Sequence, residues 1–307
     1  MPDSDLFSTT QMGLGTWAWG DRLFWGYGRG YNHDELEQAF QEAIDQNIRF
    51  FDTAEVYGQG QSELIISDFL SNCPSPVLLA SKFMPYPWRF TKTSLIRALR
   101  GSLRRLKIPR LDLYQMHFPN SLLTIDVWMD AMTEAVDLDL VRYIGVSNYD
   151  RKQTELAQNR LIKNGKRLCS NQVEYNLLNR RIEKNGVFQF CKENDIHILA
   201  FSPLAMGVLT GKYTEKNPPP GLRGQRYSAR LLKQISPLID LMKRIGASHD
   251  GKTPSQVALN WIICKGAIPI PGAKNAAQVQ QNAMALGWRL TGDEIVELDE
   301  ISNQVTN

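Results

Sequence analysis

Short runs of apolar, β-branched and aromatic residues alternate along the chain with longer stretches in which apolar positions recur every three or four residues. The runs at 12–17, 50–53, 77–82, 111–117, 141–146, 170–173, 198–201 and 267–270 read as strands. They are short and continuously apolar, as strands of a parallel sheet covered on both faces should be. The helical period predicts helices over 34–46, 63–70, 94–106, 122–136, 151–164, 183–193, 254–265, 276–285 and 292–302. The first of these places Leu36, Ala39, Phe40 and Ala43 on one face. Thr253-Pro-Ser-Gln256 is a start signal, because proline is tolerated in the first helical turn. Asp293 and Glu294 open the last helix, where the helix dipole favours negative charge.

Repeated strand-then-helix units lead either to a closed (β/α)8 barrel (a TIM barrel) or to a doubly wound sheet. A doubly wound dinucleotide fold carries a GxGxxG turn after its first strand. The nearest match here, Gly26-Tyr-Gly-Arg-Gly30, has the wrong spacing and follows no strand, so it reads as a loop. No linker divides the chain. The Pro/Gly-rich stretch 217–224 falls inside a long βα loop of about 203–236, on the face where barrels build their active sites. A single α/β barrel domain spanning 1–307 is therefore expected.

Composition narrows the function class. Of 307 residues, 43% are hydrophobic and 22% charged, with a net charge of +3. A chain of that size buries a large core without crosslinks, and so mild a charge gives no reason to expect nucleic acid or a membrane as partner. Cys73, Cys169, Cys191 and Cys264 form no CxxC pair and have no histidine at metal-ligand spacing, so reduced thiols and no metal are expected. The first residues carry no basic, then apolar, leader pattern, and no apolar run reaches the ~18 residues of a membrane helix. A cytoplasmic protein acting on a small molecule, monomeric or weakly self-associating, is the expectation.

Barrel strands deliver functional side chains at their C-terminal ends. There the sequence puts Asp52 and, shortly after it, Tyr57, then Lys82, then His117. A free tyrosine, with a pKa near ~10, is a poor acid at neutral pH. A lysine beside it favours the phenolate and lowers that pKa, and a carboxylate keeps the lysine charged and in place. A nearby histidine can orient a carbonyl oxygen or relay a proton. Such a group can protonate an alkoxide as hydride arrives at carbon.

With these residues the chain resembles the aldo-keto reductases over nearly its whole length. The resemblance is carried, in order, by Gly13-Leu-Gly-Thr-Trp17, Phe51-Asp-Thr-Ala-Glu-Val-Tyr-Gly58, Ser81-Lys82, Asp112-Leu-Tyr-Gln-Met-His117 and Ile144-Gly-Val-Ser-Asn148. It continues through Gln172-Val-Glu-Tyr-Asn176, Phe201-Ser-Pro-Leu204, Leu209-Thr-Gly-Lys-Tyr213 and Ile270-Pro-Gly-Ala-Lys274. It implies a (β/α)8 barrel that binds NADP(H) without a Rossmann fold. Tyr57 would be the general acid, Lys82 and Asp52 its tuners, and His117 the residue that positions the carbonyl.

The resemblance also implies cofactor contacts. Gly15, Thr16, Trp17 and Asp52 belong to them through the first two motifs. Ser147, Asn148 and Gln172 would hold the nicotinamide carboxamide, and Phe201 would stack beneath the ring. Ser202, Pro203, Leu204, Leu209, Lys212 and Arg223 fall on the pyrophosphate stretch. Gly272, Lys274, Gln278, Gln281 and Asn282 fall at the adenosine end. A cation at Lys274 can pair with a 2′-phosphate, and the free N–H groups of the helix opening nearby favour an anion. Both point to NADPH over NADH.

Trp25, Tyr27, Trp88 and Phe118 are candidate substrate-pocket walls, suited to apolar or aromatic carbonyl compounds. The expected activity is NADPH-dependent reduction of aldehydes or ketones. One alternative is a dedicated metabolite reductase such as a pyridoxal reductase, because the run Trp17-Ala-Trp-Gly-Asp-Arg-Leu-Phe-Trp-Gly-Tyr-Gly28 looks like plant and cyanobacterial reductases of that kind. The other is a cofactor-binding, redox-sensing subunit resembling those of potassium channels, which Lys212 and the short tail after Glu300 resemble.

Overall fold

The computed structural model describes residues 6–119 and 123–306. All of the expected strands form: β1 (Gly13–Gly15), β2 (Phe50–Asp52), β3 (Leu78–Phe83), β4 (Leu111–Met116), β5 (Val141–Ser147), β6 (Leu168–Glu174), β7 (His197–Phe201) and β8 (Ile268–Ile270). They pair in sequence order, every pair parallel, in one eight-stranded sheet. The sheet comes round on itself where the Gly15 N–H donates to Pro271 O at 3.0 Å and Gly15 bridges Gly272. A Cβ at Gly15 would stand 3.2 Å from Ile270 Cγ2 and from Ile270 O, so glycine lets the two strands approach without displacing Ile270. The fold is a (β/α)8 barrel.

The helices between strands are α1 (His33–Asp45), α2 (Gln61–Leu70), α3 (Lys92–Leu106), α4 (Ile125–Asp137), α5 (Arg151–Lys163), α6 (Arg181–Lys184) and α7 (Val187–Glu193). After β7 come α8 (Leu222–Arg226), α9 (Ala229–Gln234), α10 (Ser236–Ser248) and α11 (Pro254–Cys264), and after β8 come α12 (Ala276–Ala283) and α13 (Gly292–Thr306). Side chains close their starts: Asn32 with Glu35, Asp150 with Gln153 and Thr253 with Gln256 each form a reciprocal capping box.

Several boundaries differ from expectation. The helix expected over 183–193 is broken into α6 and α7 by Gly186, whose φ of +80° is left-handed. α4 starts at Ile125, and the expected start at Leu122 lies outside the described residues. α13 continues past 302 to Thr306. The long loop after β7 carries three turns of short helix, and α10, which follows it, was not foreseen. Pro237 disguises that helix, yet sits in its first turn, where the missing N–H costs nothing.

Two cores hold the barrel. Phe50, Ala80, Leu113, Leu199, Ile268 and Ile270 fill its interior, and Phe7 packs its ring edge-on against Phe50 at 5.0 Å. The larger core lies between sheet and helices, anchored by fully buried Trp19, Trp128 and Trp261.

Candidate active site

The C-terminal ends of the strands open into a cavity of about 850 Å³. Asp52, the last residue of β2, is buried at its base. Its Oδ2 accepts from Lys82 Nζ at 2.5 Å, and its Oδ1 accepts from the Nε2 atoms of Gln115 at 3.0 Å and Gln172 at 2.8 Å. Lys82 has no exposed surface and donates further to Thr53 O at 2.9 Å and to the Tyr57 hydroxyl at 3.3 Å. Its ammonium also lies 4.8 Å from the centre of the Tyr57 ring. The four side chains singled out in the sequence thus meet at one point, since the His117 ring stands edge-on to Tyr57 at 5.8 Å.

Tyr57 reaches this point on a tight turn. Gly58, Gln59 and Gly60 all have positive φ, at 55°, 57° and 90°. A Cβ at Gly58 would come 2.9 Å from Gly20 O, so glycine is needed there for space as well as for conformation.

Burial dominates the ionisation of the group. It pushes the Tyr57 phenol above its ordinary value, and Lys82 offsets this only in part. The expected net lowering of Tyr57 is therefore reversed, because the enclosed phenolate loses more hydration than one ammonium restores. Burial opposes the Lys82 charge too, but Asp52 and Tyr57 more than compensate, and Lys82 is raised. His117 is lowered to about 3 by burial and by the Lys82 charge. It is therefore neutral at physiological pH. Its Nδ1 is buried without a hydrogen-bond partner.

Around this centre the cavity is lined by Gly15, Thr16 and Trp17 from the end of β1, Ser147 and Asn148 from β5, Gln172 from β6, and Phe201, Ser202, Pro203 and Leu204 from β7. Ser147 Oγ donates to Gln172 O at 2.9 Å, and Asn148 Nδ2 donates to His117 O at 3.1 Å. Lys212, Arg223, Gly272, Lys274, Gln278, Gln281 and Asn282 line the other end. Lys274 is lowered to about 8 by burial and by the charges of Arg223 and Lys212. Three cations thus converge on one end of the cavity, beside the N-terminal turns of α11 and α12.

Three expected residues lie elsewhere. Leu209 is fully buried in the outer core and does not reach the cavity. Trp88 is 69% exposed, stacked on Tyr86 at 4.6 Å outside the cavity. Tyr27 packs edge-on against Tyr31 and likewise stays outside, whereas Trp25 and Phe118 do form part of the wall. The structure adds Val56, Met206, Tyr213, Thr253, Ser255 and Pro271 to the lining. Thr253 and Ser255 were legible as a helix start, but nothing in a start signal tells which way the helix end faces. Among the described residues no cluster of His, Cys, Asp and Glu is placed to hold a metal ion, and no helix is long and apolar enough to cross a membrane.

A family model described as the aldo/keto reductase family matches residues 11–303. A chloroplastic pyridoxal reductase of Arabidopsis thaliana is 39% identical over 306 residues, covering 95% of this chain and 83% of the relative. The glycerol dehydrogenase of Gluconobacter oxydans superposes with a TM-score of 0.86 at 26% identity, over 97% of this chain and 93% of its own. An aldo-keto reductase from Klebsiella pneumoniae, solved in complex with NADPH, superposes with a TM-score of 0.75 at 28% identity, over 95% and 90% of the two chains.

Proposed function

The chain belongs to the aldo/keto reductase family, a family of oxidoreductases, and we propose that it reduces aldehydes and ketones to alcohols with NADPH, planar aromatic aldehydes such as pyridoxal foremost. One observation carries this reading: Lys82, buried and paired to Asp52 at 2.5 Å, is also 3.3 Å from a tyrosine hydroxyl in the wall of a large cavity. A lysine enclosed in this way needs a reason to be there, and an adjacent phenol whose proton must move supplies one.

The residues present fit NADPH. One cavity is lined both by Asp52, Tyr57 and His117 and by the cations Lys212, Arg223 and Lys274. Burial, and after it the charges of Arg223 and Lys212, lower Lys274, so a phosphate between the three cations relieves a repulsion already present. When bound, NADPH supplies a hydride to the carbonyl carbon. Tyr57 then gives its phenolic proton to the carbonyl oxygen. Lys82 stabilises the phenolate left behind, and Asp52 keeps Lys82 charged. His117, neutral, holds the carbonyl oxygen through a ring N–H. Ser147, Asn148 and Gln172 would hold the carboxamide, Gln172 giving up its bond to Asp52 to do so. Phe201 offers a ring face for stacking.

Pyridoxal is favoured by the aromatic side chains gathered round Tyr57, whose ring Trp17 faces at 6.3 Å. Trp17 stacks on Phe24 at 5.1 Å, Trp25 stands edge-on to Trp17 at 5.4 Å, and Phe118 lies parallel to His117 at 5.0 Å. A lining that includes Trp17, Trp25 and Phe118 suits a flat ring better than a small aliphatic aldehyde. The Arabidopsis relative named for pyridoxal supports the same choice. The test is a panel of pyridoxal, benzaldehydes and methylglyoxal followed by NADPH absorbance. Turnover highest with pyridoxal supports the reading. Tight NADPH binding with no turnover of any carbonyl would favour a redox-sensing subunit instead.

A further inference from the structure

The mechanism leaves one buried carboxylate unused. Glu63 has no exposed surface and lies in the first turn of α2, directly after the left-handed turn that carries Tyr57. Its Oε1 accepts from Ser81 Oγ at 2.6 Å, and its Oε2 accepts from Arg105 Nε at 2.6 Å. Ser81 immediately precedes Lys82 on β3. Successive side chains of a strand point to opposite faces, so Ser81 faces the helix layer while Lys82 faces the barrel axis. One carboxylate therefore ties the segment bearing Tyr57 to the segment bearing Lys82.

The neighbouring contacts make this tie specific. Ser62, one residue earlier, accepts from Thr53 Oγ1 at 2.9 Å and donates toward Thr16 Oγ1 at 2.8 Å, which fixes the same helix start to the ends of β1 and β2. Arg105 passes beneath the turn itself: a Cβ on Gly60 would stand 2.8 Å from Arg105 Cδ. The turn is thus held from below by the arginine and from the side by the two strands. Burying a carboxylate is costly unless it is paired and hydrogen-bonded. α2 keeps such a residue at a position where an apolar side chain would pack at no such cost.

We propose that Glu63, through Ser81 and Arg105, is a positioning residue that sets the separation between the Tyr57 hydroxyl and the Lys82 ammonium. This rests on the reductase reading for its kinetic consequence, but the geometric claim stands on its own. Both oxygens of Glu63 are engaged by Ser81 and Arg105, so it acts by holding the turn. Loosening the tie moves the ammonium away from the phenol, which removes the interaction that offsets burial at Tyr57.

The test uses Glu63→Gln, which keeps shape but has one acceptor oxygen and so cannot accept from both Ser81 and Arg105, and Ser81→Ala, which removes only the link to β3. The first readout needs no turnover: the 13C signal of Tyr57 Cζ in tyrosine-labelled protein, assigned by its loss in Tyr57→Phe. In Glu63→Gln it should move toward its position in Lys82→Met, and in Ser81→Ala it should move less in the same direction. The second readout is kinetic. With pyridoxal, kcat should fall about ten-fold, part of the ~10²–10⁴ that a positioned acid contributes, while the Kd for NADPH stays within about two-fold, below the tenfold that ~1.4 kcal/mol represents. A Cζ signal unmoved in both folded variants, or a lowered Tm with kcat unchanged, would overturn the proposal. Should the wild-type chain turn over no carbonyl, the reductase reading fails, and the Cζ signal still decides the role of Glu63. Should Glu63→Gln not fold, Ser81→Ala decides it alone.

Discussion

Lys274 lies against Trp25. Its ammonium is 4.9 Å from the indole ring centre and donates to the Trp25 carbonyl oxygen at 2.9 Å, while Arg223 covers the same ring at 5.5 Å. The loop after β1 and the loop after β8 are thereby joined through a cation that the proposed function assigns to the 2′-phosphate.

Cofactor choice follows from this lysine. A hydrogen bond to a charged group contributes roughly 1.5–3 kcal/mol, and ~1.4 kcal/mol is tenfold in Kd. Lys274→Ala should weaken NADPH by about ten- to a hundred-fold and leave NADH nearly unchanged, as read by Trp fluorescence quenching. Equal losses for both cofactors would remove Lys274 from the 2′-phosphate.

The same lysine gives a pH dependence. Without ligand it titrates at about 8, and pairing with a phosphate raises that value. NADPH affinity should therefore be full below about 8 and decline as pH rises through it. Titrations at pH 7 and pH 9 should differ for the wild type and agree for Lys274→Met.

Tyr57→Phe removes the proposed proton donor and keeps the ring. General acid catalysis is worth ~10²–10⁴ in rate, so kcat should fall by about that factor while the Kd for NADPH holds. Near wild-type turnover would exclude Tyr57 as the acid.

Lys82→Met and Asp52→Asn should separate catalysis from stability. After Lys82→Met, Asp52 still accepts from Gln115 and Gln172. After Asp52→Asn, a buried ammonium keeps only neutral acceptors, Thr53 O and the Tyr57 hydroxyl among them. Breaking a buried ion pair costs about 3–5 kcal/mol, chiefly through the charge left behind. Asp52→Asn should thus lower Tm more, and Lys82→Met should lower kcat more. The opposite order in thermal melts would contradict the arrangement of donors around Asp52.

His117 contributes an acid limb to stability. Its pKa is about 3 in the folded chain and near ~6.5 when unfolded. Between these values only the unfolded chain binds the proton, so the contribution is full above ~6.5 and is lost progressively toward about 3. His117→Gln lacks this loss. The stability of the variant relative to wild type should rise as pH falls from 7 to 4 in urea titrations, and a constant difference would show that His117 is not buried neutral.

Much of this was legible because barrel strands are apolar runs with functional residues at one end. Asp52, Lys82 and His117 could be placed on a common face from strand ends alone, and Tyr57 from its short distance beyond Asp52. Sequence did not show how enclosure would weigh against charge: that Lys82 only partly offsets the burial of Tyr57 depends on everything packed around the phenol. Trp88 and Leu209 illustrate the same gap. Both sit on loops at the correct end, yet Trp88 turns outward onto Tyr86 and Leu209 turns into the core. α10 was hidden for a different reason. Leu238, Leu241, Met242 and Ile245 carry the helical period, but Pro237 and the Pro/Gly-rich stretch before it read as a continuing loop.

The join between Gly15 and Pro271 also bears on how the protein is made. β1 finds its second neighbour only when β8 has been synthesised, more than 250 residues later by the chain numbers. Until then the growing sheet exposes unpaired N–H and C=O groups along both β1 and β7. Such edges invite pairing with other chains. Release of a polypeptide stopped short of β8 would leave a sheet that is nearly complete, cannot close, and is prone to aggregate.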